Sequence, residues 1–394
     1  MKNSILNSLV RKWAGVFCCL LLAWGCDHDS LLVYDENSDY RAAADYIQNN
    51  YDLSLFYAAL ERAGMVDELN STDTRMTIFV PDNQAFNRIG IYVPSDFDQM
   101  DKDSLKQMIE YSILKEPILM TEIPKGTFKN NYVTELNGYE LSLSCPAEYS
   151  SASWSKNVRP DDGADYFYAI NGSWVKYADI KLKNGFLNVI NRVLNFHEET
   201  VQNFLAAHDE YQYFVAALKQ FGRWDQLADP NAEFTVFAPT NQCFENATIS
   251  LDSILRMNPE SYHDYFMGCY LLHAPIFLSY LDVLYGIGSA GMPGEVTSAE
   301  NVYAPIDEEG LKAGCVFYFG SQYVDGQNRY GFLMGYTYKE SADSYARGFN
   351  VWVADYDGLE TDIRCTNGIV HNLNEELLFA PNDTIPSYQT NNND

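Results

Sequence analysis

The strongest pattern of apolar and polar positions is Thr77-Ile-Phe-Val-Pro-Asp-Asn-Gln-Ala-Phe86. An apolar run ending in Pro, then short polar residues, then an apolar return, predicts a buried strand, a turn and a helix start. The pattern recurs as Thr235-Val-Phe-Ala-Pro-Thr-Asn-Gln-Cys-Phe244. Asp82 and Thr240 stand where an N-cap side chain accepts from orphan amides of the next turn, and Asn83 and Asn241 are alternative caps. Phe86 and Phe244 then turn the new helix toward the core.

The repeat extends in both directions. Upstream, Phe56, Ala59, Leu60 and Ala63 form one helical stripe, with Gly64 at the left-handed C-cap position. Phe214, Leu218 and Gly222 repeat Phe56, Leu60 and Gly64. Downstream, Ile113-Leu-Lys-Glu-Pro-Ile118 matches Leu271-Leu-His-Ala-Pro-Ile276. All these pairs share an offset of 158 residues. Farther on, Asp179-Ile-Lys-Leu-Lys-Asn-Gly-Phe-Leu-Asn-Val-Ile190 matches Asp362-Ile-Arg-Cys-Thr-Asn-Gly-Ile-Val-His-Asn-Leu373, at an offset of 183. One register held over such lengths means duplication, and the second copy carries 25 more residues in its middle. Asn-Gly between alternating runs, at Asn137-Gly138 and Asn171-Gly172, predicts two hairpins in the first copy, with a long loop over 145–165 between them. In the second copy the runs 316–319, 330–336 and 349–353 predict extra or longer strands.

An amphipathic helix ending in Ala-Gly, a Thr-Val-Phe-Ala-Pro-Thr-Asn block and a closing Asn-Gly-Ile-Val-His block, in that order, resemble the fasciclin domain. The carrying residues are Thr77, Phe79, Pro81, Asn83, Asn184 and Gly185 in the first copy. In the second they are Thr235, Phe237, Pro239, Asn241, Asn367, Gly368 and His371. The resemblance implies an α/β (α+β) fold of two tandem domains, each a wedge-like β-sandwich with a helical layer on one side. It places domain 1 at 40–197 and domain 2, with its expanded middle, at 198–381. It also implies extracellular adhesion or ligand binding without catalysis or cofactor. Animal members carry a Tyr-His pair in the central helix that contributes to receptor binding. The matching positions here are Tyr111-Ser112 and Cys269-Tyr270, so that role does not carry over.

The start of the chain adds an address. Lys2, Arg11 and Lys12 precede an apolar run from Trp13 to Trp24, then Gly25-Cys26, which reads as a lipoprotein signal peptide over 1–25 with Cys26 lipidated. Residues 26–39 read as an acidic tether and 382–394 as a disordered tail. Acidic residues after the lipid cysteine resemble a signal for the outer face of a Gram-negative outer membrane. The expected location is therefore an outer-membrane lipoprotein exposed at the cell surface, touching the membrane through its lipid alone.

Net charge is −28, near −31 without the basic leader. Such a chain does not replace the counterions of phosphates, which excludes nucleic acid as a partner. Cys243 replaces Ala85 and Cys365 replaces Leu182, so both read as small core hydrophobes. Gly286-Ile-Gly-Ser-Ala-Gly291 lacks the strand before it that a dinucleotide site needs. Asp355-Tyr-Asp-Gly358 is a fragment of a calcium loop and reads as a turn; no metal-ligand spacing occurs. His371 matches Asn188, and the shared hydrogen-bonding capacity favours a structural role over a general base. His273, opposite Lys115, reads as exposed.

Aromatics supply the binding candidates. Tyr149, Trp154, Tyr166, Tyr168 and Trp174 cluster in the first domain. Tyr323, Tyr330, Tyr336, Tyr338, Tyr345 and Trp352 cluster in the second, and Trp154, Tyr323, Tyr330, Tyr345 and Trp352 are taken as ligand contacts. The expected function is a lipid-anchored, non-catalytic adhesion or binding module for an extracellular protein or polysaccharide. Two alternatives stand beside it: a glycan-binding accessory associated with an outer-membrane polysaccharide uptake complex, and a hydrolase whose site carries no motif.

Overall fold

The computed structural model describes residues 39–125, 127–145, 168–262, 265–268, 270–273, 275–277, 279, 313–324, 327–338, 345–353, 361–373 and 377. Between 313 and 353 it describes backbone pairing. The leader, the tether up to residue 38, the loop after Cys145 (with Tyr149, Trp154 and Tyr166), the 286–291 and 355–358 segments and the tail lie outside these residues.

The first repeat runs through α1 (Ala43–Gln48), α2 (Ser54–Ala63), α3 (Val66–Asn70), β1 (Met76–Pro81), α4 (Asn83–Arg88) and α5 (Lys102–Tyr111). It continues through β2 (Ile113–Leu114), β3 (Thr127–Val133), β4 (Glu140–Cys145), β5 (Ala169–Ile170), β6 (Ser173–Leu182) and β7 (Gly185–Ile190). The seven strands form one sheet in the order β2-β1-β7-β6-β5-β4-β3. β1 and β7 are parallel and buried at every position. A sheet covered on both faces needs two cores, and two are present. Ile78, Val80, Leu187 and Val189 pack against Phe56, Leu60, Phe86 and Leu105 of the helical layer. Phe79 and Ile190 pack on the other side against Leu141, Leu143 and Ile170 of the folded-over strands. Ten-residue helices are marginal alone, so the burial of Leu55, Phe56, Ala59 and Leu60 holds α2 in place. The architecture is mixed α+β, helices on one side of a layered sheet.

The second repeat has α6 (Val201–Ala207), α7 (Gln212–Gln220), β9 (Phe234–Pro239), α8 (Asn241–Asn246), α9 (Leu251–Arg256) and α10 (Tyr265–Gly268), then β10 (Leu271–Leu272). It is preceded by β8 (Phe196–His197). Then come β11 (Ala313–Val324), β12 (Gln327–Tyr338), β13 (Tyr345–Val353), β14 (Ile363–Cys365) and β15 (Gly368–Leu373). Its strands divide into a five-stranded sheet, β10-β9-β15-β14-β8, and a three-stranded sheet, β11-β12-β13. β11 and β12 have 12 residues each, against 7 and 6 in β3 and β4.

Both sequence offsets reappear as strand register. Met76 lies opposite Gly185 and Phe234 opposite Gly368. Thr77 pairs with Leu114 and Thr235 with Leu272. The two repeats therefore share one parallel core pair and one antiparallel edge. Asp82 caps α4, its Oδ1 accepting from Ala85 N at 2.8 Å while Oδ2 pairs with Lys176 Nζ at 2.9 Å. Thr240 occupies the equivalent N-cap position but makes no side-chain cap bond, a departure from the sequence expectation. Asp82→Ala is expected to cost about 1–2 kcal/mol, read from the urea midpoint. An unchanged midpoint would show that the cap contributes nothing.

Among the described residues no helix is long and apolar enough to cross a membrane. Cys243 and Cys365 are both buried. Cys243 Sγ donates to the Leu373 carbonyl at 2.9 Å, and burial, aided by Glu199, pushes the Cys365 thiol up to about 12. Both behave as core groups, not nucleophiles.

Candidate functional site

The family-motif residues prove to be hydrogen-bond anchors, and they act in matched sets. Asn83 Oδ1 accepts from Leu55 N at 3.0 Å and its Nδ2 donates to Tyr51 O at 2.8 Å. Asn241 does the same with Tyr213 N and Asp209 O. Both tie the helix after the strand back to the start of the amphipathic helix. Thr77 Oγ1 accepts from Ile118 N at 2.7 Å, as Thr235 Oγ1 does from Ile276 N at 2.8 Å. Asn184 and Asn367 are buried and each make three bonds. Asn184 Nδ2 donates to Leu69 O and Ser71 O, and its Oδ1 accepts from Ala43 N. Asn367 repeats these with Leu227 O, Asp229 O and Val201 N. Thr77, Thr235, Asn184 and Asn367 are buried, while Asn83 and Asn241 are half-buried with both ends of the amide engaged.

His371 is fully buried and stacks on Phe237 with ring centroids 5.5 Å apart. Its Nδ1 accepts from Asp362 N at 3.1 Å, so Nε2 carries the proton and donates to Ile276 O at 2.8 Å. Asn188 plays the first half of this role, its Oδ1 accepting from Asp179 N at 2.9 Å. Asn188 Nδ2 finds no partner, because the shorter side chain stops short of where an imidazole reaches. Burial pulls the His371 pKa down, partly offset by Asp362. A ring with no exposed surface and both nitrogens engaged cannot serve as a general base toward a substrate. His273, by contrast, lies at the surface, its ring 5.1 Å from that of Phe234.

The polar group that pattern reading missed lies where the repeats meet. Arg192 Nη1, just past β7, donates to Asp362 Oδ2 at 2.9 Å and to Thr361 Oγ1 at 3.1 Å. Asp362 sits in the left-handed region, φ 59°, as does its counterpart Asp179, φ 58°. Short polar side chains tolerate that conformation. Asp179 fixes its turn by accepting from Met120 N and Thr121 N, whereas Asp362 uses Arg192 from the other repeat. A Cβ on Gly172 would fall 2.2 Å from Asp362 Oδ2, so the β5–β6 turn closes over this carboxylate. Alongside, β8 runs parallel to β14, with Phe196 opposite Arg364 and His197 opposite Cys365. The backbone of β8 belongs to the second sheet, while its Phe196 ring stacks on Tyr111 at 4.7 Å and lies 4.3 Å from Tyr139. Glu198 accepts from Gln107 Nε2 and Asn137 Nδ2. Tyr111, at the position of the animal Tyr-His pair, is buried and accepts from Asn171 Nδ2 at 2.7 Å; Ser112 is buried too.

The aromatic candidates separate. Trp174 is buried, at 5% exposure, and Tyr168 is half-buried against the core. In the three-stranded sheet Tyr330 pairs with Ser321 and Tyr323 with Asn328. Alternation therefore puts Tyr323 and Tyr330 on one face, and Tyr345, opposite Tyr338, follows the same face. Trp352 pairs with Leu333 and takes the other face. Among the described residues no group of three His, Cys, Asp or Glu side chains is placed to hold a metal ion.

Comparison with known proteins places these features. The family model for the fasciclin domain matches residues 51–196. Periostin from Homo sapiens is 25% identical over 211 residues, 54% of this chain and 22% of that protein. Fasciclin-1 from Drosophila melanogaster is 25% identical over 224 residues, 54% of this chain and 32% of that one. A fasciclin-like arabinogalactan protein from Arthroderma benhamiae is 25% identical over 38% of this chain and 30% of its own. The chain thus spans between about a fifth and a third of these relatives. A solved FAS1 domain pair from the insect cell adhesion molecule fasciclin I is 18% identical, covering 85% of this chain and 99% of that one, with a TM-score of 0.33.

Proposed function

We propose that this chain, whose residues 51–196 form a fasciclin domain, is a non-catalytic adhesion or ligand-binding module with a second fasciclin repeat over 198–381. The observation that carries the reading is the duplicated anchor set: Asn83, Thr77 and Asn184 recur as Asn241, Thr235 and Asn367 with equivalent partners. The duplicated polar residues are thereby spent on the scaffold, which leaves surface area as the working part. The partner is an extracellular protein or polysaccharide. The net charge of −28 favours a neutral or cationic surface over an anionic one.

Cys26 carries a lipid in this reading and holds the module at the outer membrane, facing outward. Cys26→Ala is expected to move the protein from the membrane to the soluble fraction and to abolish incorporation of a labelled fatty acid. Retention and labelling in that variant would end the lipoprotein assignment.

The binding face lies in the expanded middle of the second repeat. A glycan-array screen of residues 27–394 should be run with Tyr323→Ala/Tyr330→Ala and, separately, Trp352→Ala. Loss of binding by about tenfold or more in the first variant alone places the site on the Tyr323 face, consistent with ~1–3 kcal/mol for an aromatic stacking contact. Loss in the second alone places it on the opposite face. An empty array, with reduced cell attachment in a deletion strain, points to a protein partner. The glycan-uptake accessory role is favoured only by saturable glycan affinity. Turnover of a glycan that is lost on one carboxylate substitution would replace the whole reading with a hydrolase.

A further inference from the structure

The closing block carries His in the second repeat and Asn in the first, at one structural position. Asn188 and His371 both accept the amide of an Asp held at positive φ. Asn keeps that acceptor at any pH, while His loses it on gaining a proton. We propose that proton uptake by His371 opens the junction between the two repeats, so that their mutual packing responds to mild acid.

The chain of contacts is short. With Nε2 already donating to Ile276 O, a second proton must go to Nδ1, where it meets the Asp362 amide hydrogen head on. The left-handed turn at Asp362 then loses the acceptor that fixes it. That turn aims the Asp362 carboxylate at Arg192, 2.9 Å away, and leads directly into β14, the strand that pairs with β8. Among the described residues, two charged groups face the imidazole: Asp362 from the turn before β14 and Arg192 from the end of β7. β9 contributes the Phe237 ring, and residue 276 a carbonyl. Asp362 Oδ1 lies 3.9 Å from His371 Nδ1 and favours the imidazolium. Yet drawing the carboxylate toward the ring takes it from Arg192, so either response loosens the contact between repeats. His197 on β8 adds to the effect. It lies near His208, ring centroids 6.3 Å apart, and 3.9 Å from Glu199; burial and the His208 charge lower its pKa.

The sign follows from linkage. Both His371 and His197 hold folded-state pKa values below the ordinary 6.5. Their contribution is complete above about pH 6.5 and is lost as pH falls through the folded-state values.

Hydrogen exchange on the whole mature chain, at pH 7.5 and 5.0 and corrected for intrinsic rates, tests this. In the wild type, protection of the Asp362 and Thr366 amides and of residues 192–197 is expected to fall about tenfold or more in acid. His371→Asn, which installs the first repeat's own residue, is expected to change less than twofold. An unchanged wild type, or equal loosening in His371→Asn, overturns the proposal. His197→Asn separates the two histidines: a response abolished there but kept in His371→Asn removes His371 as the sensor. Should His371→Asn fail to fold, an NMR titration of the wild-type imidazoles decides. The His371 ring must gain its proton at the pH where junction protection is lost, and a ring that stays neutral through that transition refutes the assignment.

Discussion

Replacing Asn184 by Asp is expected to destabilise the first repeat by about 3–5 kcal/mol, the scale of an uncompensated buried charge. Asn184 is 1% exposed, and its Nδ2 donates to Leu69 O at 2.7 Å and Ser71 O at 2.8 Å. An Asp carboxylate would face two carbonyl oxygens that it can only repel. Asn184→Ala removes the same bonds without adding charge and should cost less, about 2–4 kcal/mol, since each unsatisfied buried group costs ~1–3. Because domains stand only about 5–15 kcal/mol above unfolding, the Asp variant consumes much of that margin. Urea unfolding followed by amide exchange in each half reads the effect, because two repeats need not unfold as one transition. An Asp variant as stable as the Ala variant would sink the argument. Asn367→Asp should damage the second repeat in the same way through the carbonyls of Leu227 and Asp229.

The duplication was legible because it preserves register. Residues matched at an offset of 158 occupy equivalent places in β1 and β9, and those matched at 183 in β7 and β15. Periodicity placed the amphipathic helices, and Gly64 ends α2 at φ 75°. The Asn-Gly turns at 137–138 and 171–172 have both residues at positive φ, the hairpin geometry their pattern implies. What escaped were contacts made by single residues across long separations. Arg192 meets Asp362 170 positions away, and no local pattern surrounds either one. Phe196 belongs by backbone to one repeat and by ring to the other, which no hydropathy pattern encodes. Trp174 belongs by type to the first domain's aromatic cluster, but its side chain is buried. Composition identifies which residues can stack on a ligand, while sheet register decides which of them share a face.

Gly185 and Gly368 test how far the equivalence of the repeats extends, and the first carries the largest expected loss. Both follow Asn and begin the strand parallel to the first core strand. Gly185 has φ 143°, a region side chains rarely adopt, and a Cβ there would lie 1.8 Å from Met76 O and 2.8 Å from Met76 C. The obstructing atoms are the backbone of β1, which cannot rotate away as a side chain would. Relief requires separating β1 from β7 where Met76 N donates to Asn184 O. That would strip both cores of the first repeat at once, since β1 and β7 feed one on each face. Gly185→Ala is therefore expected to cost at least ~4 kcal/mol, beyond the ordinary range for a single substitution. Gly368→Ala meets Phe234 O at 2.7 Å and Val201 Cγ2 at 2.8 Å. The overlap is smaller, and one of its two nearest neighbours is a side-chain methyl that can yield. It is expected to cost about 1–3 kcal/mol, the usual price of overpacking. Paired urea titrations of the two variants decide it: Gly185→Ala must lose more than Gly368→Ala. Equal or reversed losses would mean that the β1–β7 approach is looser than 1.8 Å implies.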